Sequence, residues 1–133
     1  MPSLRFAAPE ERRVAIITGG ARGIGQATAL RLAEAGRDVV IADMLEDEGA
    51  ETVREIEALD QRALFIKTDV SDEIAVKAMV AKAVESFGRL DILVCCAGVL
   101  GKETPFLEQS SEDMDRIIRI NLYGVYYAHQ AAI

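Results

Sequence analysis

The sequence is poor in cysteine, in basic charge and in long apolar runs, and each shortage removes a class of protein. Its only cysteines, Cys95 and Cys96, are neighbours inside an apolar run. They therefore staple no distant segments and form no spaced set of metal ligands. A reducing compartment suits such a pair, and a cytoplasmic location is expected. Lys and Arg number 15 against 22 Asp and Glu, for a net charge of −7. No broad basic face is left to neutralise a nucleic-acid backbone, so nucleic-acid partners are not expected. No apolar run approaches the roughly 20 residues that a membrane-spanning helix needs. Met1 to Pro9 is too short and mixed for a signal peptide. Repeats, linkers and low-complexity tracts are also missing.

What remains is the balance of one globular domain: 133 residues, 50% hydrophobic and 28% charged. Residues 1–13, with Pro9 and the charge run Glu10-Glu11-Arg12-Arg13, carry no periodicity and are expected to form a flexible leader. Val14 to Ile17 is a continuous apolar, β-branched run, which suits a strand covered on both faces and so paired in parallel. Helical spacing follows from Gly23 to Ala35, closed by Gly36, and this helix is expected to be mostly buried.

The alternation then repeats. Val39 to Ala42 reads as a second strand, and Glu46 to Leu59 as a helix with Ala50, Val53 and Ile56 on its inner face. Ala63 to Lys67 reads as a third strand. The helix after it is expected to be capped by Ser71 and to carry the apolar stripe Val76, Val80, Val84 and Phe87. Ile92 to Cys96 reads as a fourth strand, and one helix is expected from Ser110 or Ser111 to the last residue. Strands alternating with helices imply right-handed crossovers and a parallel sheet covered on both sides, a doubly wound α/β fold.

Chemistry concentrates between the first strand and the first helix. Gly19, Gly23 and Gly25 follow a Gly-x-x-x-Gly-x-Gly spacing, with Arg22 and Ile24 between them. A backbone that turns sharply, approaches a pyrophosphate and starts a helix needs glycine at several of these points. Alone the pattern also suits a plain turn, but Asp43 at the tip of the second strand adds the acidic residue of a dinucleotide site. There a carboxylate accepts ribose hydroxyls and repels a 2′-phosphate, which favours NAD over NADP. Arg22 argues the other way, since a guanidinium could pair with that phosphate, and Asp43 could instead cap the next helix.

Asp69 and Val70 end the third strand, where they could meet an adenine, although Asp69 could equally cap a helix. Cys96, Ala97 and Gly98 end the fourth, where small residues would let a nicotinamide ribose lie against the backbone. Asn121 falls on the helical face of Ile117, Ile118 and Val125, so its amide needs partners, and bonding to nearby backbone is the simpler alternative. No metal site is expected. None of the tyrosines, Tyr123, Tyr126 or Tyr127, has a Lys four residues on.

Together these residues resemble the short-chain dehydrogenase/reductase family: Thr-Gly-x-x-x-Gly-x-Gly at Thr18 to Gly25, Asp43, Asp69-Val70, a variant of Asn-Asn-Ala-Gly at Cys95 to Gly98, and Asn121. The likeness spans nearly everything from Val14 onward. It implies a Rossmann-like sheet with strand order 3-2-1-4, a nicotinamide cofactor over the first and fourth strands, and Asn121 supporting a proton relay. In that family, hydride passes between nicotinamide and a small alcohol or carbonyl, while a tyrosine beside a lysine moves the proton and a serine orients the oxygen.

Two departures matter. Cys95 and Cys96 stand in place of two asparagines, whose hydrogen bonds must come from elsewhere. Ser and Tyr-x-x-x-Lys are missing, so residues 14–133 are expected to be the cofactor-binding portion of such an oxidoreductase, inactive alone. The family also forms subunit contacts through the helix of Asn121, so a homo-oligomer is expected, and an isolated chain is expected to associate or dissolve poorly. A stand-alone nucleotide-binding module is the alternative. A methyltransferase-type domain is disfavoured, because Thr18 and no acidic residue ends the first strand.

Overall fold

The computed structural model describes residues 12–133. Four strands, β1 (Val14–Thr18), β2 (Asp38–Asp43), β3 (Ala63–Lys67) and β4 (Ile92–Cys95), form one sheet in the order β3-β2-β1-β4. Every pairing is parallel, which agrees with the expected fold and strand order. Helices α1 (Gly23–Glu34), α2 (Glu46–Glu57) and α3 (Glu73–Phe87) connect the strands, and α4 (Ser111–Ile118) and α5 (Gly124–Ala132) follow β4.

The period-two geometry of a strand explains why β1 is apolar throughout. Val14 and Ile16 join Val40 and Ala42 in a core beneath α3 and α5. Ala15 and Ile17 join Val39 and Ile41 in a second core beneath α1 and α2. Both central strands are therefore buried on two faces, while the outer strands β3 and β4 are only half-buried.

Several local expectations give way. Helix α1 buries only Gly25, Ala29 and Ala33, and Ile24 is 81% exposed. One helix on a sheet hides a single stripe, and here that stripe is made of small residues that let α1 approach closely. The fully buried stripe of α2 is Gly49, Thr52 and Ile56: Ile56 is as expected, whereas the expected Ala50 and Val53 are half-buried beside it, Val53 packing on the same core. Gly49 is required there because a Cβ would run into the Phe65 ring of β3. Asp72, not Ser71, caps α3, accepting from Ile74 N at 2.9 Å and Ala75 N at 3.3 Å. Val84 is exposed rather than part of the stripe.

The expected single C-terminal helix is broken by a π-helical turn over Arg119–Tyr123. Such a turn inserts an extra residue per ring and rotates the side chains on either side. Ile120 consequently packs on the core, while Asn121 leaves the apolar stripe expected for it and is exposed. Of the leader expected over 1–13, residues 1–11 lie outside the described residues. Arg12 and Arg13 are anchored: the Arg13 carbonyl accepts from Asp38 N at 3.1 Å, and Arg12 Nη1 lies 3.7 Å from the buried Asp38 carboxylate.

Candidate functional site

A cleft of about 460 Å³ opens where the C-terminal ends of all four strands meet the start of α1. In an open parallel sheet this is where the strand order reverses beside β1, so the loops after β1 and β4 lead to opposite sides of the sheet and leave a crevice. All the cleft residues expected from sequence line it: Gly19, Arg22, Gly23, Ile24 and Gly25 from one loop, Asp43, Asp69 and Val70, and Cys96, Ala97 and Gly98. Sequence reasoning missed Met44, Leu45, Thr68, Val99 and Ile120 on the same wall. Each is a neighbour of a recognised residue, so only strand-end adjacency could have signalled it.

The glycines have distinct reasons. Gly19 has φ +68, and a Cβ there would lie 2.6 Å from Ala97 N and 2.7 Å from its Cα. The turn after β1 therefore packs backbone against the turn after β4. A Cβ on Gly25 would collide with the Gly19 carbonyl. Gly23 has φ +60, but a Cβ there would meet no atom within 4 Å, because it would point into open cleft space.

Gly23 also starts α1, whose Ncap residue Arg22 makes no side-chain capping bond, and whose first turn holds no acidic residue. The other helices differ. Helix α2 begins Glu46-Asp47-Glu48, α3 is capped by Asp72, and α4 by Ser110, whose Oγ accepts from Asp113 N at 3.1 Å. Helix α2 also lacks a side-chain cap, but among these four only α1 has neither a cap nor an acidic first turn, so its orphan N–H groups and positive dipole end are left without a negative side chain.

At the tip of β2 the Asp43 carboxylate is held at both oxygens. Ala21 N donates to Oδ2 at 3.0 Å and Leu45 N donates to Oδ1 at 3.1 Å. Both donors precede α2, so the capping alternative for Asp43 is not realised. Each oxygen keeps a further lone pair for a ligand hydroxyl. Asp69 is not the cap of α3 either; its Oδ1 accepts from Ser71 N at 2.9 Å and Ser71 Oγ at 2.6 Å. Val70 is buried and packs on α5, where a Cβ on Gly124 would lie 2.7 Å from its Cγ2.

Main-chain donors tie the end of β4 to the end of β1. Cys96 N donates to the Thr18 carbonyl at 2.9 Å, and Ala97 N to Thr18 Oγ1 at 3.4 Å. Cys95 faces the core beneath α3 and α5, whereas Cys96 faces the opposite side and reaches the cleft. Burial pushes the Cys95 thiol above its ordinary pKa, against a smaller opposing effect from the Thr18 hydroxyl, so it stays protonated at neutral pH.

Asn121 does not line the cleft but braces its wall. Its Oδ1 accepts from Val99 N and its Nδ2 donates to the Val99 carbonyl, both at 2.8 Å. The amide is satisfied by backbone 22 residues away, so the simpler, structural alternative accounts for its bonds. Among the described residues no group of three or more metal-ligating side chains is assembled. The lining residues include no His, Lys or Tyr, so the cleft offers donors, one fixed carboxylate and apolar walls: the means to bind rather than to transfer a proton.

Residues 13–133 match the profile of a family described as short chain dehydrogenase. The L-2,3-butanediol dehydrogenase of Corynebacterium glutamicum is 39% identical over 122 residues, covering 90% of this chain and 47% of that protein. An NAD+-bound xylitol dehydrogenase superimposes with a TM-score of 0.86 at 32% identity, over 90% of this chain and 46% of the other. A variant actinorhodin polyketide ketoreductase with NADPH gives 0.88 at 29% identity, over 95% and 48%. The chain spans about half the length of the relatives it matches.

Proposed function

Because this chain belongs to the short-chain dehydrogenase family, we propose that its cleft binds a nicotinamide dinucleotide, NAD in preference to NADP, for an oxidoreductase acting on a small alcohol or carbonyl compound. One observation carries the reading. A glycine turn without room for a Cβ against Ala97 leads into an uncapped helix start, while a doubly anchored carboxylate stands at the tip of the neighbouring strand.

These residues fit the dinucleotide. Gly23 and the α1 N-terminus would receive the pyrophosphate, since open space and orphan N–H groups coincide there. Asp43 would accept the adenosine ribose hydroxyls, its position held by Ala21 and Leu45 so that it is not reorganised on binding. Asp69 and Val70 would flank the adenine, and Cys96, Ala97 and Gly98 would lie against the nicotinamide end. When bound, the dinucleotide supplies a hydride donor or acceptor.

Asn121 would keep Val99, and with it the wall beside the nicotinamide end, in place. The 133 residues contain no Tyr-x-x-x-Lys, so the role assigned here is cofactor binding. An NAD preference is supported by Asp43, whose charge would face the 2′-phosphate of NADP at close range. The exposed Arg22 would offset part of that repulsion. Titration calorimetry with NAD+ and NADP+ tests the reading: binding of NAD+ about tenfold or more tighter is expected, equal or tighter NADP+ binding would reject the preference, and no binding of either would reject the site.

A further inference from the structure

Thr52 is a polar side chain on the inner stripe of α2, fully buried between apolar neighbours. Its Oγ1 lies 3.1 Å from two carbonyl oxygens, that of Glu48 in its own helix and that of Ala21 in the glycine loop. Glu48 lies inside α2, where the helical ladder already supplies its carbonyl with a donor. Ala21 is 2% exposed, precedes α1, and receives no backbone donor among the described residues. Its carbonyl therefore depends on Thr52, since a buried carbonyl without a partner is costly. The N–H of the same Ala21 donates to Asp43 Oδ2 at 3.0 Å. One residue thus links the buried hydroxyl of α2 to the carboxylate at the tip of β2.

We propose that Thr52 is a positioning residue for cofactor selection, acting through Ala21 to hold the Asp43 carboxylate in the orientation that accepts ribose hydroxyls and opposes a 2′-phosphate. This rests on the dinucleotide reading of the cleft. Without the hydroxyl, the Ala21–Arg22 peptide is free to rotate its carbonyl toward another donor, and the shift at the Ala21 Cα passes to the Gly20–Ala21 peptide, whose N–H holds Asp43. Asp43 then keeps Leu45 as an anchor but loses Ala21, and its carboxylate swings. A swinging carboxylate is a poorer acceptor for the ribose and a weaker barrier to NADP, with Arg22 alongside. The ratio of the two affinities therefore shifts toward NADP. Simple loosening of the α2 packing would weaken both together.

The test compares Thr52→Val, which keeps shape and loses the hydroxyl, with Thr52→Ser, which keeps the hydroxyl and loses a methyl. NAD+ and NADP+ affinities of the full chain are measured by calorimetry, and folding by circular dichroism. For Thr52→Val, NAD+ affinity is expected to fall about fivefold to tenfold, the scale of one neutral hydrogen bond, with NADP+ affinity unchanged or higher. Thr52→Ser is expected to retain the parental ratio. Equal losses for both cofactors, or a ratio altered as much by Ser as by Val, would overturn the proposal. If Thr52→Val does not fold, Thr52→Cys, with a weaker donor in the same place, carries the same comparison. If the parent chain binds neither cofactor, the dinucleotide reading itself has failed, an outcome distinct from a parental ratio that survives loss of the hydroxyl.

Discussion

Gly23→Ala separates the requirements of folding from those of binding. A Cβ at Gly23 meets no protein atom within 4 Å, so it creates no clash. Its only cost to folding is that Ala must hold φ near +60, about 1–2 kcal/mol for a left-handed L-residue. In a domain of this size each kcal/mol corresponds to roughly 3–5 °C in Tm. The open space it fills, however, lies at the uncapped start of α1, where a phosphate would have to approach the backbone. A methyl there keeps a phosphate oxygen from hydrogen-bond distance and removes at least one charge-assisted bond, about 1.5–3 kcal/mol, or a tenfold to hundredfold loss of affinity.

Gly19→Ala is the contrasting case. It adds the same left-handed strain, and it also sets a Cβ 2.6 Å from Ala97 N, with Ala97 Cα and Cys96 C at 2.7 and 2.8 Å. Backbone cannot step aside as a side-chain tip can, so the turns after β1 and β4 must separate, and stability is expected to fall further than in Gly23→Ala. Urea unfolding followed by circular dichroism, together with NAD+ calorimetry on both variants, measures the two effects. A Gly23→Ala protein that binds NAD+ as the parent does would refute the cradle argument. A Gly19→Ala protein as stable as Gly23→Ala would refute the packing argument.

Asn121→Ala removes both bonds to Val99 and is expected to cost about 1–2 kcal/mol in urea unfolding, with faster amide exchange at Val99. Unchanged exchange there would show that Asn121 does not brace the wall. Acid sensitivity is expected from Asp91 and Asp113. Arg89, with a further contribution from Val14 N–H, holds Asp91 below its ordinary pKa, and the Lys102 N–H and Arg116 do the same for Asp113. A depressed folded-state pKa means that the unfolded chain takes up protons first. This stabilisation is therefore complete above the ordinary Asp range near 4 and is lost as pH falls through the lower folded values. Asp91→Asn is expected to flatten the slope of stability against pH below about 4, and an unchanged slope would contradict the assignment.

Much of the fold was legible because local patterns and global contacts agree. The β1 run Val14 to Ile17 has no polar position, so only a strand covered on both faces can use it. The α/β alternation then leaves few topologies. Where the reading slipped, the deciding contact was distant in sequence. The inner stripe of α2 passes through Gly49 and Thr52 because the Phe65 ring of β3 occupies one and the Ala21 carbonyl the other. Nothing in the local spacing distinguishes that stripe from Ala50 and Val53, one residue over. The π-turn at Arg119–Tyr123 is similar: within it Ile120 packs on the core and Asn121 bonds to Val99, a partner 22 residues away.

The sequence by itself determined which residues line the cleft, because glycine spacing and small residues after β4 answer requirements of backbone geometry that few other residues satisfy, and a carboxylate at a strand tip marks its polar point. Tertiary structure alone decided how those residues are held. Asp43 is a fixed acceptor because Ala21 and Leu45 donate to it, and Ala21 is fixed in turn by a hydroxyl 31 residues away. The physical reason is one of range. Conformational preference acts over a few neighbouring residues, whereas the partner of a buried polar group is chosen by whichever segments the fold brings within 3 Å or so.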